Sequence, residues 1–231
     1  MNNCGALVIA ILGAESTGKT VLAQALVPRI AQLTALRCTW VPETLRTWCD
    51  ARGRTPRQDE QAGIATAHQA AIEAAAATRD IVLCDTTPLM VALYSRHLFD
   101  DASLMPMAIA WQRRCATTLL LALDLPWVAD GLQRDGAHVR APIDALLRET
   151  LVAHDLPWSV VRGLGEQRVE AALDALAPLL RQLTALPSEG ARGLFTRLDQ
   201  RNGEATAAIW RCEHCDDPAC EHLEQARRRS V

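Results

Sequence analysis

The chain has 231 residues, 49% of them hydrophobic and 22% charged, with a formal net charge of −3, a composition that suits a soluble globular protein of one main domain and an appendage. One tyrosine, two phenylalanines and a slight acidic excess exclude the basic, aromatic-studded surface of a dedicated nucleic-acid binder, and no apolar run is long enough to span a membrane. The segment Met1-Asn2-Asn3-Cys4-Gly5 has no basic stretch before the first apolar run, so no secretory signal is expected, and the cytoplasm, with its cysteines reduced, is the expected compartment.

Ala6–Leu12 is a continuous apolar run of strand length, and helix-like spacing follows from Lys19 to about Leu33. Between them lies Gly13-Ala14-Glu15-Ser16-Thr17-Gly18-Lys19-Thr20, a phosphate-loop signature. Glycines at both ends let the backbone curl around an anion, and the following helix offers its free N–H groups and positive dipole end. Lys19 is expected to reach the β and γ phosphates of ATP and the Thr20 hydroxyl to ligate Mg²⁺, with Glu15, Ser16 and Thr17 completing the loop. Of the 24 basic residues, Lys19 is the single lysine. A compact ammonium fits inside such a loop where a planar guanidinium fork does not.

Cys38–Val41 reads as a second strand ending near Glu43, followed by a short helix and the polar link Arg52-Gly53-Arg54. Thr55-Pro56-Arg57-Gln58 has the pattern of a helix start, with a threonine N-cap and proline at the first helical position, and predicts a helix to about Arg79. Ile81–Cys84 is the third strand and delivers Asp85 at its end; Thr87-Pro88 opens the next helix. A helix around Leu104–Arg114 precedes a fourth strand at Thr118–Leu123 and a polar, glycine-bearing segment from Asp124 to Ala141. Pro142 opens a helix to about His154, Trp158–Val161 is the fifth strand, and a last helix from about Glu166 carries Val169, Leu173, Leu176, Leu180 and Leu183 at helical spacing. Continuous apolar strands alternating with helices predict an α/β P-loop NTPase fold, with a five-stranded, mainly parallel sheet covered on both faces. The composition changes after Pro187, which divides the chain into a P-loop domain at 1–186 and a C-terminal extension at 187–231.

ATP chemistry on a P-loop needs a strand-end carboxylate to hold Mg²⁺ or its water, or to orient the nucleophile. Asp85 and Asp124 both follow apolar strands; Asp85 is preferred, because Asp124 begins the polar segment. Glu43 is a candidate for substrate hydroxyls or a metal-bound water, and equally a solvated helix-start glutamate. In the polar segment, a stretch closing over the nucleotide could bring Arg134 to the transferring phosphate, with Arg140 second, the alternative being a solvated surface loop.

The P-loop, the pair Asp85-Thr86, the segment Trp127-Val128-Ala129-Asp130-Gly131-Leu132-Gln133 and Leu156-Pro157 together resemble the nicotinamide riboside kinase domain of the bifunctional bacterial NAD-salvage and regulatory proteins, over about residues 6–185. This resemblance implies transfer of the γ-phosphoryl group of ATP to the 5′-hydroxyl of nicotinamide riboside, with Asp85 orienting or deprotonating that hydroxyl, Arg134 in a lid, and the loop Gly163–Arg168 near the adenine. It implies the kinase activity alone, because the P-loop begins at residue 13. Where the family reads Asp-Thr-Asp, this chain has Asp85-Thr86-Thr87. Trp40, Trp48, Tyr94 and Trp127 are the aromatics available to stack on a substrate ring, Trp127 foremost, with core packing as the alternative for each.

Cys4, Cys38, Cys49, Cys84 and Cys115 are scattered among apolar residues and read as buried small hydrophobes. The other three cysteines form Cys212-x2-Cys215-x4-Cys220-x-His222, with His214 between, a spacing that suits tetrahedral Zn²⁺ through Cys212, Cys215, Cys220 and His222, His214 being the alternative fourth ligand. An iron–sulfur cluster and a metal-free tail remain alternatives. A small-molecule nucleoside is thus the expected partner, with no nucleic acid and no membrane, and the sequence leaves the oligomeric state open. The alternative function is a regulatory P-loop ATPase or nucleotide switch whose zinc-binding tail contacts a partner.

Overall fold

The computed structural model describes residues 5–128 and 136–184. Five parallel strands form one sheet: β1 (Leu7–Leu12), β2 (Cys38–Val41), β3 (Ile81–Asp85), β4 (Thr117–Leu121) and β5 (Trp158–Val161), in the order β2-β3-β1-β4-β5. The helices are α1 (Lys19–Thr34), α2 (Thr44–Arg52), α3 (Gln61–Ala76), α4 (Pro88–Phe99), α5 (Met105–Gln112), α6 (Arg140–Ala153) and α7 (Gly165–Thr184). All five strands fall where the apolar runs place them. Their central stretches are apolar because both faces are covered: Ile9–Leu12 and Ile81–Cys84 are completely buried.

Side chains alternate across the sheet. Ala10, Leu12, Val82, Cys84 and Leu120 share a core with Ile72 of α3, Leu89 and Leu93 of α4, Trp111 of α5 and Ile143, Leu147 and Leu151 of α6. On the other side α1 packs against β1, β2 and β3. Each fully buried Leu or Ile contributes about 1.5–3 kcal/mol relative to exposure, so this double-sided core is the main stabilising term. β1 pairs with β3 on one side, Ile11 opposite Asp85, and with β4 on the other, Leu12 opposite Leu120. The C-terminal ends of these three strands therefore meet where the strand order reverses, the place at which open parallel sheets bind ligands.

Three element boundaries differ from expectation. The helix signalled at Thr55-Pro56 starts later, with a 3-10 turn at Gln58–Glu60 leading into α3; the Arg57 N–H is capped by Glu60 Oε2 at 2.8 Å, and Arg54 pairs with the same carboxylate at 2.7 Å. β4 ends at Leu121 rather than Leu123, and α6 begins at Arg140, with Pro142 inside its first turn, where a missing N–H costs nothing. The signal at Thr87-Pro88 holds: Thr87 is the N-cap of α4, its hydroxyl accepting from the Leu89 N–H at 3.3 Å.

The chain divides into two units, Met1–Pro178 and Leu179–Val231. Of the second, the described part is the end of α7. The proposed boundary at 186, Arg134, and the cluster Cys212, Cys215, Cys220, His222 with His214 lie outside the described residues. Among the described residues no helix is long and apolar enough to cross a membrane.

Candidate functional site

The P-loop connects β1 to α1 through backbone conformations that its sequence permits. Gly13 (φ 155) has no room for a side chain: a Cβ there would lie 2.9 Å from Thr17 Oγ1 and 3.2 Å from Leu121. Gly18 (φ 79) is the N-cap of α1, and Ser16 also takes a left-handed conformation (φ 56). The buried Thr17 hydroxyl donates to the Ala14 carbonyl at 2.8 Å and stiffens the loop from within. Lys19 Nζ donates to the Gly13 and Ala14 carbonyls, both at 3.0 Å, which holds the ammonium across the loop mouth.

Beside the lysine, the Thr20 hydroxyl donates to Asp85 Oδ2 at 2.5 Å. Asp85 is 1% exposed, and its other oxygen, Oδ1, is buried with no hydrogen-bond partner. A buried carboxylate oxygen lacking a donor is costly unless a cation joins it. Hard oxygens from a hydroxyl and a carboxylate are what Mg²⁺ takes, so Thr20 and Asp85 fit that ion.

The turn after Asp85 is strained. Thr86 is a β-branched residue at φ 69, held by its N–H donating to the Ile11 carbonyl at 3.2 Å and its carbonyl accepting from His68 Nε2 at 3.1 Å. Since a carbonyl only accepts, Nε2 carries the hydrogen; His68 Nδ1 lies 2.8 Å from the Thr44 hydroxyl at the start of α2. Burial pushes the His68 pKa down, against the opposing pull of the Thr86 hydrogen bond and the Asp85 charge. Sequence reading passed over this histidine, one polar residue in an alanine-rich helix.

A cavity of about 660 Å³ opens from the P-loop, within the range of small-molecule sites. Lys19, Thr20 and Thr86 line one end; Glu43, Arg46 and Gln61 supply polar groups along the wall; Met90, Tyr94 and Phe99 of α4 make it apolar. Glu43, the residue before α2, makes no side-chain cap bond, and its carboxylate belongs to this wall. Of the four aromatic candidates, Tyr94 lines the cavity. Trp48 instead packs on Ile64, Ala65 and Val91 with the Arg52 guanidinium 4.6 Å from its ring centroid, and Trp40 lies within β2. Trp127 is not part of the cavity wall; its Nε1 donates to Glu15 Oε2 at 3.4 Å. Next to it, Ser16 Oγ and Val128 exchange hydrogen bonds at 3.0 and 3.1 Å, which ties the loop tip to the polar segment after β4.

Asp124 and Arg140 also stand away from the cavity. Arg140 Nη2 donates to the Leu125 carbonyl at 2.9 Å, while its Nε is buried without a partner. Asp124 Oδ2 accepts from the Gly163 N–H at 2.8 Å, and Oδ1 accepts from Arg168. Burial pushes the Asp124 carboxyl up, but these two bonds outweigh it and hold the group below its ordinary value. Arg168, expected in the loop near the adenine, turns inward, is 5% exposed, and also donates to the Thr17 carbonyl.

Sequence comparison matches residues 8–168 to the family described as AAA domain. Among curated proteins no match is found. Solved structures of similar fold include NadR protein in complex with NR (TM-score 0.59, 19% identity, covering 80% of this chain and 52% of that one) and NadR protein in complex with NAD and AMP-PNP (TM-score 0.56, 18% identity, 80% and 51%). This chain thus spans about half the length of those proteins. The thymidylate kinase from Ehrlichia chaffeensis is similar over nearly its whole length (TM-score 0.53, 13% identity, covering 76% of this chain and 99% of that one).

Proposed function

The chain belongs to the AAA domain family, and from that premise we propose that it is a P-loop kinase, binding Mg·ATP and transferring the γ-phosphoryl group to a hydroxyl of a small nucleoside, nicotinamide riboside first. The observation that carries this reading is the cavity, which runs on from Lys19 and Thr20 to a half-apolar wall containing Glu43 and Tyr94. A nucleotide switch needs the P-loop alone; a kinase needs a second compartment adjoining it. The presence of NR in one NadR structure supports the choice of first substrate.

The residues take the following roles. Lys19 leaves its carbonyl partners to reach the β and γ phosphates, and the N–H groups of the loop and of α1 cradle the phosphate oxygens. Thr20 and Asp85 would hold Mg²⁺, which when bound would supply neutralisation of the phosphate charge. The Thr20 bond favours this role for Asp85 over contact with the acceptor. Glu43 accepts the hydrogen bond of the acceptor hydroxyl and takes its proton as that oxygen bonds to phosphorus and the bond to the β-phosphate oxygen breaks, releasing ADP. Arg134 is assigned to the transferring phosphate on its sequence position, and Tyr94 to the face of the acceptor's ring. Catalysis is then mainly positioning and charge neutralisation.

Measuring ADP release against a panel of nucleosides tests the proposal. Nicotinamide riboside should stimulate release severalfold and give a phosphorylated product; a panel with no member raising turnover above basal hydrolysis would overturn the kinase reading.

A further inference from the structure

We infer that Arg168 is a positioning residue of the phosphate site: locked by Asp124 and Gly163, it holds the Thr17–Gly18 peptide so that the Gly18 N–H faces the nucleotide phosphates. This rests on the reading of the loop as a nucleotide site, and adds a residue 150 positions away from Gly18 in the chain.

Each nitrogen of the guanidinium has an acceptor. Nε donates to the Gly163 carbonyl at 2.8 Å, Nη2 to Asp124 Oδ1 and Nη1 to the Thr17 carbonyl. Asp124 Oδ2 closes the ring by accepting from the Gly163 N–H at 2.8 Å. Three of its five N–H donors are thus engaged by protein acceptors, one on each nitrogen, and the side chain is absent from the cavity wall, so it acts behind the loop rather than as part of the cavity lining. Its charge is balanced by Asp124, which makes its contribution geometric.

That geometry acts on one peptide unit. Among the described residues there are no cis peptide bonds, and in a planar trans unit the C=O and N–H point in opposite directions. Fixing the Thr17 carbonyl on Arg168 therefore turns the Gly18 N–H away from the arginine. Gly18 is the N-cap of α1, so this N–H has no partner within the helix. A Cβ at Gly18 would meet Arg168 Nη1 at 3.4 Å and Leu125 at 3.2 Å, which shows how closely the arginine backs the loop. Three strand ends are joined in this way: the loop after β1, Asp124 after β4 and Gly163 after β5.

The test is titration of the full chain with a fluorescent ATP analogue and Mg²⁺, alongside KM values for ATP and for the nucleoside acceptor. Arg168→Met is expected to weaken binding of the analogue at least tenfold and to raise the KM for ATP by a similar factor, with the acceptor KM within twofold. Arg168→Lys, which keeps one donor for the Thr17 carbonyl, should recover part of the loss. A folded Arg168→Met protein that binds the analogue within twofold of wild type, or that loses affinity equally for both substrates, overturns the inference. If Arg168→Met does not fold, Asp124→Asn decides: threefold or greater weakening of the analogue with an unchanged acceptor KM supports it, and anything less overturns it. Wild-type protein that fails to bind the analogue overturns the nucleotide reading and this inference together; wild-type binding with unaffected variants overturns this inference alone.

Discussion

At Lys19 the site depends on the size of one cation. Nζ fits between two loop carbonyls at 3.0 Å, a space shaped for an ammonium. A guanidinium has a different shape and cannot enter as a point charge. Lys19→Arg should therefore lower kcat/KM by about 10²-fold or more, the scale on which a single preorganised electrostatic contact acts. Its melting temperature should stay near that of wild type, because Lys19 is part-buried and outside the core. Turnover close to wild type would remove the role given to the lysine. This residue was legible from the sequence because the P-loop is local: glycines, lysine and threonine act within eight consecutive positions. Arg168 was not, since nothing distinguishes it locally from the other arginines, and its partners Thr17 and Asp124 come to it only through the order of the strands.

Among the elements, the strands and the capped helix α4 were legible because burial on both faces and an N-cap threonine with proline write themselves into short stretches. The start of α3 was not: the competing cap, Glu60, is chosen by its pairing with Arg54 and with the Arg57 N–H, and the threonine-proline signal lost to it. The link between α2, α3 and the turn after β3 was equally hidden, since His68 joins Thr44 to a strained Thr86 beside Asp85. Burial lowers the His68 pKa from its ordinary 6.5, so the unfolded chain binds its proton more readily than the folded one. Stability from this residue is then fully present above the unfolded pKa and declines as pH falls below about 6.5. Thermal melting between pH 7 and pH 5 should show this decline in wild type and a flatter profile in His68→Gln, which retains a donor for the Thr86 carbonyl. The variant should also be less stable at pH 7, by about 1 kcal/mol, because the part-buried Thr44 hydroxyl loses its bond to the His68 ring. Parallel profiles for the two proteins would show that His68 does not titrate in this range.

On the scale of the whole molecule, metal content is the measurement that tests the C-terminal residues apart from the P-loop unit. Among the described residues no cluster of three or more His, Cys, Asp or Glu could hold a metal ion. The described cysteines, Cys38, Cys49, Cys84 and Cys115, form no disulfide, and burial pushes Cys38 and Cys115 up to about 12 and raises Cys84 as well. Metal ligation by cysteine needs the thiolate, so Cys38, Cys84 and Cys115 are poor sites. Mg²⁺ on Thr20 and Asp85 would exchange readily, as an ion held by one or two carboxylate oxygens and waters does. Tightly held zinc would therefore point to Cys212, Cys215, Cys220 and His222, where we propose that it binds through three thiolates and one imidazole. Protein purified without added metal and dialysed against a weak chelator should retain about one zinc per chain by elemental analysis, and Cys212→Ser with Cys215→Ser should lose it. Because the cluster is remote in sequence from the P-loop, the double variant is expected to bind the fluorescent ATP analogue within twofold of wild type. Substoichiometric zinc and iron in the wild-type protein would remove the metal site and leave the three cysteines as ordinary thiols.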